Sequence, residues 1–212
     1  MKLLLWDIDG TILSTNGAAR RAFHFALLDV FGMTGPIEAH DFSGKTDPQI
    51  ARELLRLAGF GDAAIDARLP SLWASYLGAL ESELAAPDQR SSTMPGVREV
   101  LDALAGAQQQ AVVALLTGNI EPGAALKLRS VALADRFAFG AYGSDSERRS
   151  ELPALAVERA RSHTGREFRG RDVVVIGDTP HDVTCGRALG VTAVGVATGR
   201  HDEAALRAAG AH

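Results

Sequence analysis

Two aspartates separated by a single residue follow the first apolar run of the chain. They lie in the segment Asp7-Ile8-Asp9-Gly10-Thr11, directly after the apolar residues 3–6. If residues 3–7 form a β-strand, the carboxylates emerge at its carboxyl end, where open α/β sheets bind their ligands. Gly10 predicts a turn that brings Asp7 and Asp9 to one pocket. The alternative is an acidic turn in which Asp9-Gly10 serves the backbone alone.

Two later apolar runs also end in polar residues. Residues 111–116 lead into Thr117-Gly118-Asn119, and residues 173–176 lead into a segment that carries Asp178 and Asp182. Asp182 has a structural alternative, since a carboxylate in the first turn of a helix caps amides and interacts with the helix dipole. Asp178 has no obvious helix to cap. The three strand ends together predict one site.

The elements that must position these residues alternate between short apolar runs and longer helical patterns. The predicted strands are 3–7, 111–117, 137–142, 172–177 and 192–197, and the predicted helices are 97–105, 122–133, 151–163, 182–189 and 202–209. The runs 111–116 and 173–176 are apolar without alternation, which is typical of strands buried on both faces of a parallel sheet. A βαβαβ succession of this kind predicts an α/β fold with a doubly wound parallel sheet.

The interval 15–87 interrupts that alternation. It contains four helical patterns, at 18–31, 47–59, 63–69 and 70–83, and no convincing strand. A helical block between the first strand and the rest of the sheet predicts an inserted cap, with residues 86–95 as the return hinge. The predicted domains are therefore a core of 1–14 and 88–212 and a cap of 15–87.

Composition and charge exclude several classes of protein. The chain has 22 Lys and Arg against 26 Asp and Glu, for a net charge of −4, which argues against nucleic-acid binding. The one cysteine, Cys185, excludes an intramolecular disulfide and suits a reducing cytosol. No apolar stretch approaches a membrane span, and the first apolar run is too short for a signal peptide. We predict a cytoplasmic protein, and the sequence does not distinguish a monomer from a homodimer.

These motifs resemble those of the haloacid dehalogenase-like (HAD) hydrolase superfamily, in its phosphatase branch. The first family motif matches Asp7-Ile8-Asp9-Gly10-Thr11, the second matches Thr117 with Gly118 and Asn119, and the fourth matches Asp178 and Asp182. The resemblance covers essentially the whole chain. It implies a Rossmann-like core over 1–14 and 88–212, and a helical C1-type cap over 15–87 like that of phosphoglycolate phosphatase.

The third family motif normally supplies a lysine, and here the best local match is an arginine. No lysine lies between Lys127 and the last residue, whereas Arg149 immediately precedes the predicted helix 151–163. The adjacent Arg148 is the alternative. Arginine keeps the positive charge and can hold phosphate through two hydrogen bonds, but it is not equivalent to lysine.

Clustered carboxylates repel one another and a phosphate anion unless a cation lies among them, and oxygen ligands favour Mg²⁺. The resemblance implies that Asp7 is the nucleophile, forming an aspartyl-phosphate, and that Asp9 protonates the leaving oxygen and then activates water. It further implies Mg²⁺ on the Asp7 carboxylate, the Asp9 carbonyl and Asp178, with Asp182 assisting. The phosphoryl group of a small phosphorylated metabolite would lie against Thr117, Gly118, Asn119 and Arg149.

The segment Ser43-Gly44-Lys45-Thr46-Asp47 is the remaining candidate. It is not a nucleotide P-loop, because position 39 is alanine rather than glycine and no strand precedes it. In capped relatives of phosphoglycolate phosphatase a similar segment approaches the active site, which implies Lys45 and Thr46 as substrate contacts. The alternative is a solvated lysine. Three other functions stay open: a phosphomutase, a phosphonate C–P hydrolase, and a non-catalytic binding protein on the same scaffold.

Overall fold

The computed structural model describes residues 1–88, 90–107 and 109–212. The strands of these residues are β1 (Lys2–Trp6), β2 (Leu13–Ser14), β3 (Ser92–Thr93), β4 (Ala111–Leu116), β5 (Gly140–Ala141), β6 (Val173–Gly177) and β7 (Thr192–Gly195). Five of them form one parallel sheet in the order β5-β4-β1-β6-β7. The chain winds outward in both directions from β1, which confirms the predicted doubly wound α/β fold.

Helices cover both faces of this sheet. They are α1 (Ala18–Phe31), α2 (Asp47–Leu57), α3 (Asp62–Ala85), α4 (Val97–Ala105), α5 (Glu121–Ser130), α6 (Leu152–Thr164), α7 (Pro180–Cys185) and α8 (Glu203–Ala208). Leu101 of α4 and Leu128 of α5 pack on one face with Trp6. Leu152 of α6 packs on the other face with Leu5. None of the helices in the described part of the chain is both long and apolar enough to cross a membrane. The cytoplasmic location stays a prediction.

The register of the central strands decides where the site lies. Trp6, the last residue of β1, is paired with Leu115 of β4 and with Ile176 of β6. The three strands therefore end at nearly the same level. The residues that follow them, at positions 7, 117 and 178, meet at one edge of the sheet because parallel strands share a carboxyl edge.

Residues 18–85 contain three helices, α1 to α3. We call the whole segment 18–85 the helical insert. The antiparallel pair of β2 and β3 flanks this segment in the chain, with Leu13 opposite Thr93. The insert has its own apolar core, in which Phe23 of α1 meets Tyr76 of α3 edge to face. The domain limits at residues 15 and 87 stay a prediction. Gln89, in the predicted return hinge 86–95, and Gln108 lie outside the described residues.

The prediction of two helices at 63–69 and 70–83 was wrong. A single 24-residue helix, α3, runs through Pro70. Proline lacks the amide that would donate to the preceding turn, and within a helix this costs about 3 kcal/mol. Buried side chains on both sides of the proline, Ile65 before it and Leu72 after it, pack in the insert core. We attribute the continuity of α3 to this burial, which offsets the lost hydrogen bond.

Two other predicted elements are shorter than expected. Of the predicted strand 137–142 only Gly140–Ala141 is paired, and only with β4. The predicted helix 182–189 ends at Cys185, and a 3₁₀ turn follows at Arg187–Leu189. Gly186 lies between them, where a Cβ would overlap the Val191 side chain. The remaining elements agree with the prediction to within one to three residues at each end.

The fully buried Leu5 gives a test of this architecture. Leu5→Ala should lower the free energy of unfolding by about 2–5 kcal/mol, because it leaves a cavity between β1 and α6. Leu57→Ala, at an exposed position at the end of α2, should change it by no more than about 0.5 kcal/mol. Urea denaturation of both variants measures the difference. Equal values would contradict the burial described for β1.

Candidate active site

Three buried carboxylates meet at the carboxyl edge of the sheet. Asp7 follows β1, Asp178 follows β6, and Asp182 lies in the first turn of α7. One oxygen of each lies within 4.8 Å of an oxygen of the others. Burial, reinforced by the negative charge of Asp182, raises the pKa of Asp7 well above its usual value and that of Asp178 to about 7. Such a cluster calls for a cation, and its ligands are the hard oxygens that suit a divalent ion.

Two loops hold the carboxylate of Asp178 in place. A Cβ on Gly10 or on Gly199 would overlap that carboxylate, so both positions require glycine. Gly10 also has a φ of 83°, in the left-handed region. The Thr11 hydroxyl donates to Oδ1 of Asp178 at 3.2 Å, and the Thr198 hydroxyl donates to the carbonyl of Gly10 at 2.6 Å. The loop after β7 thus completes the site, although no sequence motif indicated it.

Arg149 supplies a cation to this cluster. It lies in a 3₁₀ turn before α6, and its Nη2 donates to Oδ1 of Asp7 at 2.8 Å and to Oδ1 of Asp182. Burial alone lowers the pKa of Arg149, but Asp182 and Asp7 together outweigh it and raise that pKa. Its buried Nε has no hydrogen-bond partner among the described residues. Arg148 is exposed and pairs instead with Glu151 at 3.2 Å.

Asp182 caps a helix, as the structural alternative predicts, and also contacts Arg149, while its role as a metal ligand stays a prediction. Its Oδ2 accepts hydrogen bonds from the amide and the hydroxyl of Thr179, at 3.0 and 2.7 Å, while its own amide donates to the Thr179 hydroxyl. This capping box begins α7. The other oxygen, Oδ1, contacts Arg149. The helix cap therefore fixes the carboxylate that orients the guanidinium.

The segment after β4 lies beside the cluster. Thr117 is buried, and its hydroxyl oxygen accepts from the side-chain amide of Asn119 at 2.7 Å. The same amide donates to Oδ2 of Asp9 at 2.7 Å. The carbonyl of Gly118 accepts from the amide of Asp47 at 2.7 Å. Thr117 and Asn119 thus line the site, and Gly118 is the point where the core meets the helical insert.

Lys127 is a further charged residue of the site that sequence reasoning missed. It lies on α5 and is only 3% exposed. Its Nζ lies 2.9 and 2.7 Å from the two carboxylate oxygens of Asp9 and 2.5 Å from Oδ1 of Asn119. The buried face of α5 includes Gly123, Lys127 and Leu128. A lysine on that face, one turn after Gly123, was the available signal.

The segment that leads into α2 brings the helical insert into contact with the site. Gly44 lies against Thr179 and His181, where a Cβ would overlap both side chains. The Thr46 hydroxyl donates to the carbonyl of Glu147 at 2.8 Å. Thr46 also caps α2 through the amide of Gln49. The predicted substrate contact Thr46 is therefore fully buried in the seam between insert and core.

Asp47 is a buried carboxylate in the same seam. Its Oδ2 accepts from the amide of Ile120 at 2.9 Å. Burial raises its pKa to about 6, although the positive charge of Lys127 opposes the shift. Part of the Asp47 population is thus protonated in mildly acidic solution.

Lys45, the other predicted substrate contact, already has partners. Its Nζ lies 2.5 Å from Oε2 of Glu53 and 3.3 Å from Nε2 of His40. Burial would raise the pKa of Glu53, but the hydrogen bonds from Lys45 and Gln49 outweigh it and lower that pKa. Lys45 therefore borders the site as one member of an ion pair.

A cavity of about 440 Å³ connects these residues. Core and insert both line it, through Asp7, Asp9, Thr117, Lys127, Arg149 and Asp178 on one side and Phe42, Lys45, Ile50 and Tyr76 on the other. A space of this size, lined by charged residues toward the sheet and by a mixture of apolar and charged residues toward the insert, suits a small polar molecule.

Fold and site together define a class: an α/β enzyme with buried carboxylates at the switch point of its sheet. The family model described as haloacid dehalogenase-like hydrolase matches residues 1–190. The chain therefore belongs to the haloacid dehalogenase-like hydrolases, and the predicted family is confirmed. A search of curated proteins finds no match.

Solved structures with the same fold cover almost the whole chain. A hydrolase from Pseudomonas syringae has a TM-score of 0.73 at 21% identity, with 100% of this chain and 91% of that chain covered. A predicted phosphatase from Clostridium acetobutylicum has 0.72 at 16%, with 99% and 91% covered. A predicted phosphoglycolate phosphatase from Haemophilus somnus has 0.68 at 17%, with 100% and 92% covered. At these identities the similarity establishes the fold.

The pKa of Asp47 gives a pH-dependent test in metal-free protein. Between about pH 4 and pH 6 the folded chain keeps the Asp47 proton while the unfolded chain has lost it. The stability of the wild type should therefore fall relative to Asp47→Asn as the pH rises through this window, by on the order of 3 kcal/mol. Denaturation of both proteins at several pH values measures the difference.

Asp62→Asn is the matched control. The exposed carboxylate of Asp62 accepts from Arg56, whose hydrogen bond lowers its pKa. Because the lowered pKa of Asp62 places its titration at more acidic pH, the stability of the wild type relative to this variant should not fall between about pH 4 and pH 6. A difference between wild type and Asp47→Asn that stays flat from pH 4 to pH 6 would contradict the burial of Asp47.

Proposed function

We propose that the protein is a Mg²⁺-dependent phosphomonoester hydrolase that acts on a small phosphorylated metabolite through an aspartyl-phosphate on Asp7. The observation that carries this proposal is the contact of one buried guanidinium, Arg149, with Asp7 and Asp182 beside Asp178. A carboxylate that a cation holds in place at a ligand crevice can attack a phosphoryl group that binds there. Membership in a family of hydrolases agrees with this reaction.

Asp7 is the nucleophile in this proposal. Arg149 holds its Oδ1 at 2.8 Å and opposes the rise that burial causes in its pKa. The carboxylate attacks phosphorus, the phosphorus–oxygen bond to the metabolite breaks, and the phosphoryl group is transferred to Asp7. Water then attacks the aspartyl-phosphate and releases inorganic phosphate. Both steps depend on orientation and charge stabilisation more than on further covalent chemistry.

The carboxylate cluster fits Mg²⁺ by its chemistry. Asp7, Asp178 and the carbonyl of Asp9 would hold the ion, with Asp182 assisting, and the three carboxylates are buried and within 4.8 Å of one another. Bound there, Mg²⁺ would offset the negative charge of the carboxylates and of the phosphoryl oxygens.

The remaining core residues would bind the phosphoryl group and move the proton. The Nε of Arg149, which is buried without a partner among the described residues, is a donor available to a phosphoryl oxygen. Thr117, Gly118 and Asn119 border the same space. Asp9 would give its proton to the leaving oxygen and then take one from the attacking water. The need for such a proton favours a phosphate ester over a halide, which leaves without one.

The cap would span residues 15–87 and include the helical insert. It would determine which metabolite enters. Its side chains form one wall of the 440 Å³ cavity, in which Phe42, Ile50 and Tyr76 lie beside Lys45. Lys45 would contact an anionic group of the substrate only by sharing its ammonium with Glu53. We therefore propose Lys45 as a selectivity residue rather than a residue of the reaction itself.

Replacing the nucleophile tests the reaction. Asp7→Asn should lower Mg²⁺-dependent release of phosphate from 4-nitrophenyl phosphate by at least about 10⁴-fold, since the amide cannot attack phosphorus. Chelation with EDTA should abolish the wild-type activity, and added Mg²⁺ should restore it. Thermal unfolding should show that the variant is folded. Turnover near that of the wild type would rule out Asp7 as the nucleophile, and an inactive wild type would favour the non-catalytic alternative.

A metabolite screen tests the cap contact. Wild type and Lys45→Ala should be compared on a panel of phosphate esters with and without a second anionic group. We expect Lys45→Ala to lose about tenfold or more in kcat/KM on esters that carry a distal carboxylate or a second phosphate, and little on esters whose phosphoryl group is the sole anionic group. Lys2→Ala, far from the cavity, is the control. An unchanged substrate profile would remove Lys45 from the site.

A further inference from the structure

Lys127 is a buried cation of the site to which the proposed reaction gives no part. Its ammonium contacts both carboxylate oxygens of Asp9 and the side-chain carbonyl of Asn119. It is one of two buried cations of the site, and the other, Arg149, already serves Asp7 and Asp182. Neutralising the metal-binding carboxylates therefore does not account for Lys127.

Burial of a lysine ammonium is costly unless strong partners replace its water. Lys127 is 4% exposed at its side chain whereas Asp9 is 44% exposed. The two partners of the ion pair thus differ in exposure. Lys127 is buried in the core, whereas the Asp9 carboxylate is partly exposed in the cavity that both residues line. An ion pair that served only the stability of the core would have no need of an exposed carboxylate.

Asn119 completes a closed set of contacts around Asp9. Its side-chain carbonyl accepts from Lys127, and its side-chain amide donates to Oδ2 of Asp9 at 2.7 Å. That amide also contacts the hydroxyl oxygen of Thr117 at 2.7 Å. Lys127 and Asn119 thus fix the direction of the Asp9 carboxylate relative to Thr117, which borders the phosphoryl position.

We propose that Lys127 is a positioning residue that, together with Asn119, holds the Asp9 carboxylate toward the leaving-group side of the cavity. This inference rests on the proposed function, in which Asp9 gives its proton to the leaving oxygen, and the ion pair with Lys127 is the state of the carboxylate once that proton has left. Lys127 acts through Asp9 and does not bind the phosphoryl group. Its loss therefore weakens catalysis most for esters whose leaving oxygen must be protonated as the bond to phosphorus breaks.

A pair of esters with similar shape but different leaving groups tests this role. Phenolate is a basic leaving group that needs a proton, whereas 2,4-dinitrophenolate leaves without one. The value of kcat/KM reports the steps up to transfer of the phosphoryl group, so slow release of the aspartyl-phosphate does not obscure it. The variants are Lys127→Met, which removes the charge, and Lys127→Gln, which keeps a donor if the methionine variant does not fold.

With Mg²⁺ present, Lys127→Met should lower kcat/KM for phenyl phosphate by on the order of 100-fold. The loss for 2,4-dinitrophenyl phosphate should be at most about fivefold, and Lys127→Gln should show a smaller difference in the same direction. The inhibition constant of inorganic phosphate should stay within about twofold of the wild type. Arg129→Gln, which removes an exposed cation from the same helix, should leave all three quantities unchanged.

Equal losses on both esters with weaker inhibition by phosphate would overturn the proposal and make Lys127 a phosphoryl ligand. Equal losses with unchanged inhibition, or no loss, would overturn it as well. Asp9→Asn in the same assay distinguishes a failure of this inference from a failure of the proposed function on which it rests. If Asp9→Asn discriminates between the esters and the Lys127 variants do not, only the role of Lys127 fails. If Asp9→Asn does not discriminate either, the proposed role of Asp9 fails.

Discussion

The balance of charge at the carboxyl end of β1 is the constraint on which the rest of the site depends. Asp7, Asp178 and Asp182 are buried close together, and ionised carboxylates at such separations repel strongly in a low dielectric. Arg149 offsets part of this charge from within the cluster. A divalent cation would complement the rest, because the three carboxylates offer oxygen ligands within 4.8 Å of one another.

The fold supplies this arrangement through short, local devices on a rigid sheet. Parallel pairing brings positions 7, 117 and 178 to one level. Glycine at positions 10 and 199 lets two loops approach the Asp178 carboxylate without a Cβ between them, and the cap of α7 orients Asp182. The helical insert then covers this edge of the sheet and forms the second wall of the cavity.

Much of this could be predicted from the sequence, because it depends on local patterns. Apolar runs followed by Asp7, Thr117 and Asp178 reveal strand ends, and the sheet edge gathers them. The role of Lys127 was not predicted. Its place on the buried face of α5 indicates burial, but no local pattern indicates that its partner is Asp9, 118 residues away. The burial of Asp47 was not predicted, because an aspartate in the first turn of a helix is usually explained by the helix dipole alone. The continuity of α3 through Pro70 depends on burial that a local breaker signal cannot report.

The two buried cations divide the site into two halves with different tasks. In the reaction that we propose, Arg149 contacts Asp7 and Asp182, where the phosphoryl group would bind, whereas Lys127 contacts Asp9, which would move the proton. Arg149 and Lys127 approach from different elements, so Asp7 and Asp9 can be held in different directions. Separate partners allow each carboxylate its own environment within one cavity. The net charge of −4 therefore says little about the substrate, since the local pairing of acids with cations determines whether an anion can bind.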